Sequence, residues 1–208
     1  MIDKIIKQIQ KTDLSKMEQY LHYVYGNDTG RNLFFTFSIK LEDLYKISEF
    51  DDEIEAKIAF KYVLPVIAMY RSFIENGMDS TIAIKNIRSY FIEYDKKEIN
   101  KFSNMIKTPF YYNFFDRKIK KFQEKNLPKD KFRIEWLEFN SQRIYFNVNK
   151  CMYLKILKEY SEERLLQIFC DREKIRFSKI NSKIEFSIPR IISNNDNCCE
   201  FRYFKRKS

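Results

Sequence analysis

Apolar residues fall at helical spacing through the first half of this chain and at alternating positions in parts of its last third. Ile5, Ile6, Ile9 and Leu14 recur between Lys and Gln, as in an amphipathic helix. Asp13 predicts the cap of a second helix reaching Tyr25, with Gly26-Asn27-Asp28 as its stop. The clearest helical pattern runs from Glu53 to Gly77 through Ile54, Ile58, Val63, Ile67, Ala68 and Phe73. Pro65 predicts a kink or a split there, because it lacks an N–H and its ring crowds the preceding turn. Gly77 reads as the C-terminal cap. Asp79-Ser80 then opens a helix to Tyr94, and Lys97 to Ile106 predicts another. An aromatic-rich stretch, Pro109 to Phe115, follows and reads as packing.

The pattern changes near Leu127-Pro128-Lys129-Asp130. Phe132 to Phe139 alternates apolar and polar residues, as a half-buried strand does. Arg143 to Val148 alternates again, and Asn140-Ser141-Gln142 supplies a turn between the two strands of a hairpin. A helix is predicted from Cys151 to Tyr160. A second is capped by Ser161, carries Glu162 and Glu163 in its first turn, and ends near Cys170. Lys183 to Ile188 and Cys199 to Phe204 predict two more strands, paired antiparallel. The expected fold is α+β. A helical N-terminal half, residues 1–127, packs on a C-terminal β-β-α-α-β-β module, residues 128–208, with a small antiparallel sheet. Together they are expected to form one compact domain.

Composition narrows the function classes. With 208 residues, 44% of them hydrophobic and 17% aromatic, the chain can bury a sizeable core. Only 3 Gly and 4 Pro argue against a many-turned β-sandwich. A net charge of +10 raises nucleic acid or an anionic membrane as partners. The lysines, however, are interleaved with acids, and the densest run, Arg117 to Lys131, reads as a solvated helix end and loop. No zinc-finger spacing, RNP-like aromatic motif or basic heptad region supports nucleic-acid binding. Charges break the first twenty residues, unlike a signal peptide, and Tyr62 to Tyr70 is too short to span a bilayer. The expectation is a cytoplasmic protein with no membrane partner and with reduced cysteines.

Four cysteines punctuate the C-terminal module: Cys151, Cys170, Cys198 and Cys199. No C-x-x-C occurs, and the single His22 is remote, so the structural zinc templates fail. Cys151 stands where a strand gives way to a helix, and a helix N-terminus lowers a thiol's pKa. It is the first candidate nucleophile, although a buried structural thiol is the common alternative. Cys170 at a predicted helix end is less favoured, because the dipole there opposes a thiolate. Cys198 and Cys199 are neighbours on an alternating strand, so they face opposite sides.

Three segments resemble the L-2-amino-thiazoline-4-carboxylic acid hydrolase family, a group of bacterial proteins. They are Asn147-Val148-Asn149-Lys150-Cys151, Phe169-Cys170-Asp171-Arg172-Glu173 and Cys198-Cys199-Glu200-Phe201-Arg202. The resemblance reaches back through Leu64 to Ile87 and covers roughly residues 55–206. The family usually carries Asp where Glu173 and Glu200 stand, and often Gly where Tyr160-Ser161 lie.

The resemblance implies hydrolysis of a cyclic amidine C=N, with a thiazoline ring opened to a carbamoyl-cysteine. Carbon 2 of the ring is a poor electrophile until the ring nitrogen is protonated, and attack needs a thiolate or an activated water. Cys151, Cys199 and Cys170 are the candidate thiols, and Glu173 and Glu200 the candidate acid–base groups, with Asp171 in reserve. Arg202, two residues beyond Glu200, either orients that carboxylate or holds a substrate carboxylate. Asn149 and Trp136 complete the substrate-binding candidates, Trp136 as a pocket wall. No cofactor is expected, although Glu173, Glu200 and a thiolate leave a divalent metal open. The partner is a small-molecule substrate. The competing readings are a non-catalytic ligand-binding module and a thiol sensor on the same fold.

Overall fold

The computed structural model describes residues 2–106, 112–178 and 184–206. Lys183 and the start of the aromatic stretch at Pro109 lie outside them, as do the side chains of Ile5, Ile6 and Ile9. The architecture is α+β, with helices preceding and flanking a four-stranded antiparallel sheet. The chain divides into two compact units, Met1–Tyr94 with Tyr153–Ile168, and Asp95–Met152 with Phe169–Ser208. The composition shift at residues 127–130 falls inside the second unit. No helix among the described residues is long and apolar enough to cross a membrane.

The first unit is helical. α1 (Ile2–Tyr25) is one uninterrupted helix, so Asp13 lies within it and no second helix starts there. Gly26, at φ 78°, ends it, and α2 (Asn27–Ile47) starts at the next residue. Sequence reading saw the stop and missed the restart. Leu33, Phe37, Leu41 and Leu44 of α2 are buried at helical spacing. Gly30 lets α1 and α2 approach closely: a Cβ there would meet Leu21 O at 2.7 Å and His22 Cα at 2.8 Å.

The helix expected from Glu53 to Gly77 is split. Asp52 caps α3 (Glu53–Ile58) by accepting from the Ile54 and Glu55 amides. A π-helical turn, Ala59–Val63, then leads into α4 (Leu64–Glu75). The wider turn ends at Val63, two residues before Pro65, where an ordinary turn would meet the proline ring and lose a bond. Gly77, at φ 81°, closes α4: its amide bonds Ile74 O, and the Met78 amide bonds Phe73 O. Asp79 accepts from the Thr81 and Ile82 amides and starts α5 (Ser80–Tyr94).

In the second unit, α6 (Lys96–Ile106), α7 (Tyr112–Asn126) and the short α8 (Lys129–Phe132) precede β1 (Ile134–Phe139) and β2 (Arg143–Val148). The basic run from Arg117 thus lies mostly on α7, where Ile119 and Gln123 are buried and the lysines line the outer side. Asn140 closes the hairpin, its side chain accepting from the Gln142 and Arg143 amides. The chain then returns to the first unit, where, after α9 (Met152–Glu159), Ser161 adopts φ 57°. Its amide bonds Lys158 O and the Glu162 amide bonds Leu157 O, so Ser161 terminates α9 instead of capping the next helix. α10 (Leu166–Ser178) runs eight residues beyond Cys170, which is therefore interior to the helix. β3 (Ile184–Ser187) and β4 (Cys199–Lys205) complete the sheet in the order β1-β2-β4-β3.

One face of the sheet forms the core of this unit. Ile144 pairs with Tyr203, Phe146 with Phe201 and Val148 with Cys199. The Phe146 and Phe201 rings stack at 4.8 Å. Phe177 of α10 meets Tyr203 edge-on at 5.3 Å, and Phe186 lies 4.7 Å from the same ring. Gln123 donates to the buried Tyr203 hydroxyl at 3.0 Å.

Two substitutions test the local geometry. Gly30→Ala forces α1 from α2 and should cost about 1–3 kcal/mol in chemical denaturation. Ser161→Gly relieves a left-handed non-glycine residue and should gain about 0.5–1 kcal/mol by the same measurement.

Candidate functional site

Cys151 immediately precedes the first residue of α9, and the backbone leading to it is anchored. The amides of Asn149 and Lys150 bond Arg133 O and Phe132 O, each at 3.2 Å. Cys199 opens β4 opposite Val148 and shares a face with Phe201 and Tyr203. Cys170 lies on α10. None of the four cysteines forms a disulfide.

The structure gathers the other cysteines around Cys199. Cys170, Cys151 and the neighbouring Cys198 all stand close enough to it that their charges would raise its pKa. The turn Ile192–Asn194 bridges two of them. The Ile192 amide donates to Cys199 Sγ at 3.4 Å, and the Ser193 side chain hydrogen-bonds Cys170. Burial, opposed by the Ile192 amide, pushes the Cys199 thiol up to about 12. Burial also raises Cys170, with Asp171 and Glu173 adding to it and Ser193 opposing. Cys198 is raised chiefly by desolvation, with Glu200 adding to it.

The acids separate. Glu173 is three residues from Cys170 on α10 and close enough to raise that thiol. Its Oε1 lies 2.6 Å from Arg176 Nη1, and its charge also raises the Tyr203 hydroxyl. Glu200 is on the opposite face of the sheet from Cys199, in the row Glu135, Asn147, Glu200. It is held by Arg190 at 3.2 Å and by Arg202. Arg202 therefore orients Glu200 and does not share the thiols' face. Asn149 is exposed and donates to Glu135 at 3.2 Å. Trp136 is half-buried against Phe146 at 4.7 Å, with the Lys120 ammonium 5.6 Å from its ring. Asp171 is buried beside Cys170. Among the described residues no three His, Cys, Asp or Glu side chains converge as a metal-binding group.

Sequence reading missed a buried ionic group on the thiol helix. Arg172 donates to Asp95 through Nε at 2.5 Å and Nη2 at 2.7 Å. Arg176 reaches the same carboxylate at 3.2 Å and Glu173 at 2.6 Å. The side chains of Asp95, Arg172 and Arg176 are 4%, 11% and 5% exposed, so solvent screens them little. Burial opposes the Asp95 charge, but the two guanidiniums outweigh it and hold the carboxyl below its usual range. A charged stretch such as Asp171-Arg172-Glu173-Lys174 reads as solvated in sequence. The hint was the i,i+4 spacing of Arg172 and Arg176.

The sequence model for L-2-amino-thiazoline-4-carboxylic acid hydrolases matches residues 52–203. No curated protein and no solved structure matches the chain. The matched span contains the three thiols and Glu173.

The protonated state of Cys199 has a direct readout. Its thiolate is scarce near neutrality, so iodoacetamide should label it roughly 30- to 1,000-fold more slowly than an exposed thiol. The rate should keep rising well past pH 9, where an ordinary thiol has levelled off. Peptide mass spectrometry of the native protein across that range checks both.

Proposed function

The chain belongs to the L-2-amino-thiazoline-4-carboxylic acid hydrolase family, and we propose that it opens a 2-aminothiazoline carboxylate, or a similar cyclic amidine, to a carbamoyl-cysteine-type product. The observation that carries this reading is that the Ile192–Asn194 turn joins Cys170 and Cys199, while Cys151, just beyond β2, lies close enough to Cys199 to raise its pKa. Hydrolysis across the C=N bond to an N-carbamoyl product requires a nucleophile at ring carbon 2, a proton on the ring nitrogen as its double bond becomes single, and departure of the ring sulfur as the C2–S bond breaks. Water supplies the oxygen that ends on carbon 2 and the two protons that end on sulfur and nitrogen.

Cys151 is assigned as nucleophile by its place at the start of α9. Attack by its thiolate on carbon 2 gives a covalent intermediate, which water then releases. Cys199 and Cys170, held protonated by burial, offer S–H groups to the departing ring sulfur without competing for carbon 2. Glu173, fixed by Arg176, is the acid–base group on the thiols' side of the sheet. Glu200, neutralised by Arg190 and Arg202 on the other face, orders the sheet in this scheme.

A second reading, a ligand-binding module without turnover, draws on the same protonated thiols: neither Cys170 nor Cys199 is a resting thiolate. Mass-spectrometric detection of ring opening separates the two. Wild type should convert 2-aminothiazoline-4-carboxylate; Cys151→Ala should abolish turnover; Glu173→Gln should reduce kcat by about 10²-fold or more. Glu200→Gln should cost less than Glu173→Gln. Tight binding of the same compound by wild type without product would establish the second reading.

A further inference from the structure

We propose that Asp95, Arg172 and Arg176 are positioning residues of the thiol site. Their ionic lock fixes α10 against the start of α6, and so sets where Cys170 stands relative to Cys199. This rests on the reading of the three thiols as the reacting cluster.

The geometry of α10 supports it. At about 100° per residue, Cys170 and Phe177 share one side of the helix, while Arg172 and Arg176 share another. The first side meets the sheet, where Phe177 packs on Tyr203 and Phe186. The second meets Asp95, which immediately precedes α6 and accepts three hydrogen bonds from the two guanidiniums. The helix is therefore held on two sides. Ring packing alone leaves rotation and axial slip soft, because apolar contacts are not directional. The bidentate Arg172–Asp95 pair admits one orientation. Rotation of α10 by a single residue's angle would carry Cys170 off the Ile192–Asn194 turn and away from Cys199.

The lock also places Glu173. Arg176 divides its guanidinium between Asp95 and Glu173, so the acid on the thiol helix is aimed by the same group. A buried ion group of this kind is often replaceable by apolar residues at no cost in stability. Its distinctive product is a single arrangement of the helix that carries Cys170.

The test uses the intact protein and compares native alkylation rates of Cys170 and Cys198 by peptide mass spectrometry. Arg172→Lys keeps the charge and removes the bidentate fork. Asp95→Asn keeps the shape and removes the charge, and serves if the first variant does not fold. The expected result is a rise of about tenfold or more in Cys170 labelling, with Cys198 within about twofold of wild type and the Cys170 pH–rate profile moved to lower pH. Unchanged Cys170 labelling in a folded variant overturns the proposal. So does a parallel rise at both cysteines, which marks general loosening. The ratio is read without substrate, so failure of ring opening in the wild type would sink the functional reading and leave this result standing.

Discussion

The pairing of β2 with β4 is the constraint on which the rest of the second unit depends. Phe146 stacks on Phe201, Ile144 lies beside Tyr203, and Val148 stands opposite Cys199. A slip of one residue would turn Glu200 and Arg202 into the core and Phe201 and Tyr203 out of it. The apolar face thereby specifies the register. The register in turn specifies the site: the chain leaves β2 at Val148, and three residues later Cys151 is near Cys199. The same Tyr203 ring receives Phe177, which brings α10 alongside and with it Cys170.

Much of this frame is written in local patterns. Alternation in Arg143–Val148 and Cys199–Phe204 marks both strands, because side chains on a strand alternate between a buried and an open face. Gly77 and Asp79 announce a helix end and a helix start through their own backbone chemistry. Elements that depend on a distant partner are harder to read. α2 begins one residue after a genuine stop, and Gly30 looks like a breaker until the close approach of α1 explains it. Ser161 reads as a cap by composition, yet the two amides that follow α9 make it a terminator. α10 seems to end at Cys170 because charged residues follow. Two of them, Arg172 and Arg176, are satisfied inside the unit by Asp95, 77 residues earlier in the chain than Arg172.

The site follows the same division. Local motifs pick out the thiols, and the sheet register sets Cys199 on the face of Phe201 and Tyr203. The orientation of the acids is not local. Glu173 and Glu200 look equivalent in sequence, each a few residues from a cysteine. Helical spacing keeps Glu173 beside Cys170, whereas strand alternation sends Glu200 to the face opposite Cys199.

That difference bears on what a longer acid does at each place. The resemblance to the family implies Asp at both positions. At Glu200 the carboxylate lies between Arg190 and Arg202, whose side chains are 63% and 43% exposed and free to follow it. An added methylene there is absorbed by two flexible cations at the surface. At Glu173 the partner is Arg176, itself fixed by Asp95 and 5% exposed, and the acid's charge reaches Tyr203 and Cys170. Nothing in that group is free to follow. A methylene there displaces a half-buried charge, pinned to a buried guanidinium, on the ångström scale. The length of the side chain at position 173, far more than at 200, therefore sets where the acid stands relative to Cys170 and Tyr203.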